Sequence, residues 1–220
     1  MYETLMKNSI IVNKDPLIGY VDNLIDDDTC EYIINKASPK LTESKVCNND
    51  GNKKSSIRTS YNTWLTYNKD DLVSVYGKKI SELVGIPLSH AESMCVIHYD
   101  IGQKYSQHCD SFNLDEPRGQ RVCRNGHQRI FTVLSYLNTP EAGGETRFPN
   151  LKVTVKAKKG RVVFFSNVGN DINYPHPNSL HESKPVITGE KYAATMWFHA
   201  APYSTKFTFP CSPPKILQEL

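Results

Sequence analysis

A chain of 220 residues is long enough to bury one sizeable core, and no Gly/Ser-rich or Pro-rich linker divides it. A single domain over 1–220 is expected, with its core at about 17–200 and an extension at 203–220. The formal net charge of +3 is small and the lysines are dispersed apart from Lys156, Lys158 and Lys159, so nucleic acid is not expected as a partner. No run of eighteen apolar residues occurs, the first residues lack the apolar stretch of a secretory signal, and the six cysteines form no Cys-x-x-Cys pair; a cytoplasmic protein with mostly reduced thiols and no membrane span is expected.

In chain order the helices come first. Asp28 and Glu31 offer a capping box for a helix whose apolar side is Ile33, Ile34 and Ala37, and Ser38-Pro39 ends it. Residues 47–56 are polar around Asp50-Gly51 and read as a hairpin tip or mobile loop. Asn68 or Asp70 can cap a second helix with the stripe Leu72, Val73, Tyr76, Ile80, Leu83 and Val84, closed by Gly85 and Pro87. Strands are predicted from there on, over 94–99, 105–110, 129–137, 152–157, 161–166, 180–182 and 192–199. Gly143-Gly144 reads as a turn between strands, and Lys158-Lys159-Gly160 as a hairpin connection with its lysines in solvent. Two helices followed by many short strands indicate an α+β chain with a double-sheet jelly-roll core.

The chemistry concentrates in the second half. Side chains alternate along a strand, so His108 and Asp110 share a face if 105–110 is extended, while Cys109 turns away. Two histidines and one carboxylate can hold ferrous iron on one face and leave the other open for a co-substrate and dioxygen; His181 is the best-placed third ligand. In the run from Lys191 to His199, residues Lys191, Ala193, Thr195, Trp197 and His199 line one face, opposite an apolar face of Tyr192, Ala194, Met196 and Phe198. The first face looks into a chamber, and a lysine aimed there needs an anion, because an unpaired buried ammonium is costly. The alternative is a strand-end lysine that snorkels into solvent.

YDIGQKYSQHCD, QRIFTVLSYLNTPEAGGETRFP, KKGRVVFFSN and SLHESKPVITGEKYAATMWFH, in this order, resemble the prolyl 4-hydroxylase family of 2-oxoglutarate- and Fe(II)-dependent dioxygenases. IGYVDNLIDDDTCEYII resembles the family's opening strand and first helix, and Ile57-Arg58-Thr59-Ser60 its Arg-Thr-Ser motif, so the resemblance covers roughly 17–200. It implies a double-stranded β-helix with supporting N-terminal helices. It also implies iron held by His108, Asp110 and His181, and Lys191 paired with the distal carboxylate of 2-oxoglutarate, with Tyr99 and Thr146 assisting. Tyr105, Arg129 and Trp197 match positions on the substrate side; Arg129 could instead be an ion-pair partner and Trp197 a core residue.

The activity implied is hydroxylation of peptidyl proline, consuming dioxygen and converting 2-oxoglutarate to succinate, with ascorbate as reductant and with 47–56 and 111–128 closing over the substrate. Asp110 argues against an iron halogenase, which needs that carboxylate missing. Cys109 in place of an aromatic, and Ser183-Lys184 in place of a Gly-Cys pair, depart from the family pattern beside the metal and put substrate detail in doubt. Two other readings stay open: a related oxygenase acting on a lysyl residue, free amino acid or nucleobase, and an idle peptide-binding module.

Overall fold

The computed structural model describes residues 9–48, 51–67 and 71–212. In chain order the strands and helices are β1 (Ile10–Lys14), β2 (Leu17–Val21), α1 (Asp27–Ala37), β3 (Thr42–Glu43), β4 (Val46–Asn48), β5 (Gly51–Lys53), β6 (Tyr61–Leu65) and α2 (Leu72–Val84). There follow β7 (Met94–Tyr99), β8 (Tyr105–His108), α3 (Pro117–Val122), β9 (Arg129–Tyr136), β10 (Ala142–Gly143), β11 (Thr146–Phe148) and β12 (Val153–Val155). The last four are β13 (Val162–Ser166), β14 (His181–Ser183), β15 (Val186–Thr188) and β16 (Lys191–His199).

α1 starts two residues earlier than a cap at Asp28 implies. Its cap is Asp26, whose carboxylate accepts from the Thr29 amide at 2.8 Å, satisfying an amide that has no partner inside the helix. α2 is capped by Asp71, which accepts from the Val73 amide at 3.0 Å; Asn68 and Asp70 lie outside the described residues. Val73, Tyr76, Ile80, Leu83 and Val84 are buried as the stripe predicts, but Leu72 is exposed at the first helical position, and left-handed Gly85 ends the helix.

Eight strands form the major sheet in the order β1-β2-β13-β9-β16-β7-β6-β3, and β12-β11-β14-β8 form a minor sheet facing it. All named pairs are antiparallel, the two-layer arrangement of a jelly roll. Six strands precede β7, so the helices do not simply come before the strands: α1 and α2 are inserted between strands and pack on the outer face of the major sheet. Ile33, Val73, Ile80, Val133, Met196 and Phe198 meet there, and Tyr136, Phe148, Val163 and Phe165 fill the space between the sheets. Each such side chain contributes about 1.5–3 kcal/mol relative to exposure.

Two expected turns differ. Gly143 is itself paired to β15, with φ of +81°, and a Cβ there would meet the Pro185 carbonyl at 2.3 Å. Lys158-Lys159-Gly160 joins β12 of the minor sheet to β13 of the major one, a crossover between layers. Its lysines are tied down: Lys158 pairs with Asp22 and Lys159 with Asp27 and Glu31. The 111–128 segment is also fixed. Gln128, fully buried, accepts from the Phe112 amide at 3.0 Å and donates to the carbonyls of Phe112 and Ile172.

Beyond β16, the Gly126 amide donates to Thr205 and the Phe207 amide to Arg124, laying the chain against 123–127 with the Phe207 and Phe209 rings on buried His127. Cys30, Cys95, Cys109, Cys123 and Cys211 are free thiols. No helix of the described residues is long and apolar enough to cross a membrane.

Candidate active site

β8 stops at His108, and Asp110 lies two residues past it rather than inside a strand reaching 110. β14 opens on His181, which pairs with His108 across the minor sheet, so the register itself brings the two imidazoles together. One ligand atom from each of His108, Asp110 and His181 lies within 4.8 Å of the other two. Cys109 is not among them and faces a neighbouring groove.

The ring nitrogens are oriented from behind. His108 Nδ1 donates to the Ser106 carbonyl at 2.8 Å and His181 Nδ1 to the Ser179 carbonyl at 2.9 Å. A carbonyl only accepts, so Nδ1 carries the proton in each ring and Nε2 is the nitrogen turned inward, the orientation a metal requires. Both Nε2 atoms stand 3.6–3.7 Å from the Asp110 carboxylate, too far for direct hydrogen bonds and suited to a shared centre. Asp110 Oδ2 accepts from Thr132 Oγ1 at 2.8 Å, and Thr132 accepts in turn from Asn167 Nδ2 at 2.8 Å. Burial, reinforced by His181, pushes the His108 pKa down to about 3, which keeps that ring neutral. Burial works against ionised Asp110, but His181, His108 and Arg129 outweigh it and hold the carboxyl below its usual range. Two imidazoles and one carboxylate, oriented and buried, fit a divalent iron ion.

Lys191 is 1% exposed and opens β16 on the chamber side, with Ala193, Thr195 and Trp197 beyond it. It does not snorkel. Its Nζ donates to Ser183 Oγ at 2.7 Å and stands 4.7 and 5.5 Å from the ring centres of Tyr99 and Tyr136. Burial pulls its pKa down to about 7, opposed by the charge of Glu145. Thr146 lines the same chamber and accepts from the Tyr136 hydroxyl at 2.6 Å. A desolvated lysine ringed by hydroxyls and aromatic faces, with no carboxylate in contact among the described residues, is suited to receive an anion.

The Tyr105 ring stacks on His108 at 3.5 Å, and Trp197 lines the chamber. Arg129 stands behind that wall: its Nε donates to Glu92 at 2.5 Å, and its guanidinium covers the Trp197 ring at 4.2 Å. His199, expected on the chamber face, is carried off it by a bulge after Phe198 and bonds to Glu92 at 2.8 Å. Sequence reading missed Ser183, Tyr136, Thr132 and Asn167. Period-two spacing from His181 and along β9 points to the first three, whereas Asn167 follows β13 and no sequence signal marks it.

The sequence profile of the 2OG-Fe(II) oxygenase superfamily matches residues 94–199. Prolyl 4-hydroxylase 5 of Arabidopsis thaliana is 35% identical over 210 residues, covering 86% of this chain and 70% of the plant protein. A putative prolyl 4-hydroxylase of Acanthamoeba polyphaga mimivirus is 35% identical over 184 residues, covering 84% and 74% of the two chains. The solved viral collagen prolyl hydroxylase of Paramecium bursaria Chlorella virus-1, in its 2OG complex, superposes with a TM-score of 0.65 at 28% identity over 82% of this chain and 94% of that one. With both layers of the fold and the ordered motifs in agreement, the chain belongs to the prolyl 4-hydroxylase family of 2-oxoglutarate- and Fe(II)-dependent dioxygenases.

Proposed function

We propose that the protein is a prolyl 4-hydroxylase acting on proline within a peptide or protein segment, as the names of its relatives suggest. The observation that carries this reading is the joining, in one chamber, of two imidazoles with inward Nε2 atoms, one carboxylate, and a buried lysine without an anion. His108, Asp110 and His181 would hold Fe(II). When bound, the metal supplies the activation of dioxygen that couples conversion of 2-oxoglutarate to succinate with hydroxylation of a C–H bond.

The chain's own groups bind, orient and exclude water. Lys191 would receive the distal carboxylate of 2-oxoglutarate, with Ser183, Tyr99 and Thr146 around it. That carboxylate raises the lysine pKa again, so binding brings a proton onto Nζ above pH 7. Thr132 and Asn167 hold the Asp110 carboxylate in one orientation. Tyr105 and Trp197 wall the substrate side, and Arg129, neutralised by Glu92, would support the indole rather than touch substrate. An extended proline-containing segment is stiff and solvated, so it loses little entropy in an aromatic-walled site.

Dioxygen is the co-substrate and ascorbate the proposed reductant; neither nucleic acid nor a membrane is a proposed partner. Peptides incubated with enzyme, Fe(II), 2-oxoglutarate and ascorbate should gain one oxygen that fragmentation maps to proline. Oxygen found only on lysine, a free amino acid or a nucleobase would overturn the substrate and leave the oxygenase standing.

A further inference from the structure

From the metal cluster the chamber continues past Tyr105 and His108 into a second groove of about 310 Å³, walled by β8, the 111–113 segment and α3. Arg118 of α3 lines it. Its Nε is buried and has no hydrogen-bond partner among the described residues. The guanidinium lies over the Phe112 ring at 5.2 Å, and its charge reaches Tyr105. Phe112 is a fixed platform: Gln128 grips its backbone at both amide and carbonyl, and Arg129 covers the ring at 5.6 Å. Gly119 of α3 packs so closely on the Asn113 carbonyl that a Cβ would approach it to 2.0 Å, which fixes the turn into the helix. Among the described residues the one carboxylate lining the groove, Glu116, is exposed and accepts from Asn113 Nδ2 instead of pairing with Arg118.

A half-buried guanidinium with an unmet donor, laid over Phe112 in a groove that His108 also lines, is a preorganised site for a carboxylate. The contrast with Arg129 is instructive, since Glu92 already satisfies that residue. A segment whose target carbon sits at the metal advances roughly 3.3–3.6 Å per residue, which takes a neighbouring residue out of the chamber and into this groove. Resting on the peptidyl-proline reading above, we infer that Arg118 is a specificity residue that selects substrate segments carrying aspartate or glutamate close to the target proline.

The test uses the full chain and fluorescent peptides with one proline and with Asp, Asn or Lys placed in turn at each of the flanking positions. Binding is read by anisotropy and hydroxylation by mass spectrometry. One flanking position should favour Asp over Asn by about ten- to a hundredfold in affinity and kcat/KM, the range of a charge-assisted contact. Arg118→Ala should erase that preference. Arg118→Glu should invert it toward Lys, a gain that a misfolded variant cannot show. Proline hydroxylation indifferent to Asp, Asn and Lys at every position overturns the Arg118 assignment and leaves the proline reading intact. Preferential binding of the Asp peptide that Arg118→Glu inverts, without any oxygen on proline, keeps the Arg118 assignment and overturns the proline reading.

Discussion

Each side chain in the chamber is set by a partner behind it, so single substitutions should separate metal from co-substrate. His108→Ala, Asp110→Ala or His181→Ala removes one of three inward ligand atoms. Each should abolish 2-oxoglutarate turnover and lower iron occupancy measured by metal analysis; near-normal occupancy in the His181 variant would place the third ligand elsewhere. Lys191→Ala should keep iron but weaken 2-oxoglutarate by about ten- to a hundredfold, since a charge-assisted contact is worth roughly 1.5–3 kcal/mol. The lysine also fixes a pH dependence. Its folded pKa is about 7 against an ordinary 10.5, so between those values the unfolded chain holds a proton that the folded one lacks. The penalty for burying the ammonium is therefore complete below pH 7, and stability rises as pH climbs from 7 toward 10.5. For 2-oxoglutarate the sign is opposite: above pH 7 the free enzyme must first take up a proton, so affinity should fall, at most about tenfold per pH unit, until the pKa of the complex is reached. Calorimetry in buffers of different ionisation enthalpy should show this proton uptake at pH 8, and its absence would mean that Lys191 is already charged before binding.

At the scale of elements, Gln128 is a central anchor of the insert between β8 and β9. Gln128→Ala leaves the Phe112 amide and the Phe112 and Ile172 carbonyls without their partner, at a cost of about 1–3 kcal/mol for each buried group that water cannot reach. The variant should unfold at lower denaturant and exchange amides faster over 111–123; unchanged exchange there would show that α3 is anchored by other contacts. That anchor was invisible in the sequence because a glutamine has no periodicity to announce it. The strand content after Pro87 and both helices were readable, because alternation and the 3.6-residue stripe are local signals. The caps fall on whichever aspartate meets an amide, Asp26 in place of Asp28 and Asp71 in place of Asn68 or Asp70, since adjacent acids stand at both sites. Tertiary pairing decided the remainder. Lys158-Lys159-Gly160 looks like a hairpin locally but links two layers, and the bulge after Phe198 moves His199 off a face that simple alternation assigns to it. His108, His181 and Lys191 were within reach because family motifs surround them. Ser183 was passed over as a departure from the pattern, although it hydrogen-bonds Lys191.

Across the whole molecule, the proposed ligand groups are divided unequally between the two sheets, and this division predicts an order of stabilisation. His108 and His181 belong to β8 and β14 of the minor sheet, and Asp110 follows β8, joined to the major sheet through the Thr132 hydroxyl. Metal alone would thus clamp adjacent strands of one layer. Lys191 belongs to β16 of the major sheet, so 2-oxoglutarate held between the metal and Lys191 would link the two layers across the chamber. A ligand that binds only the folded state adds RT ln(1 + [L]/Kd), about 2.7 kcal/mol at a hundredfold excess over Kd. For a chain of this size 1 kcal/mol corresponds to about 2–4 °C in Tm. Without dioxygen, saturating Fe(II) should raise Tm, and 2-oxoglutarate at a hundred times its Kd should raise it by roughly a further 5–11 °C. The second increment should vanish when metal is withheld and shrink sharply in Lys191→Ala, while the metal increment survives in that variant. A 2-oxoglutarate shift of equal size without metal would mean that the keto acid binds through the lysine end alone, and the proposed bridge between the sheets would have to be abandoned.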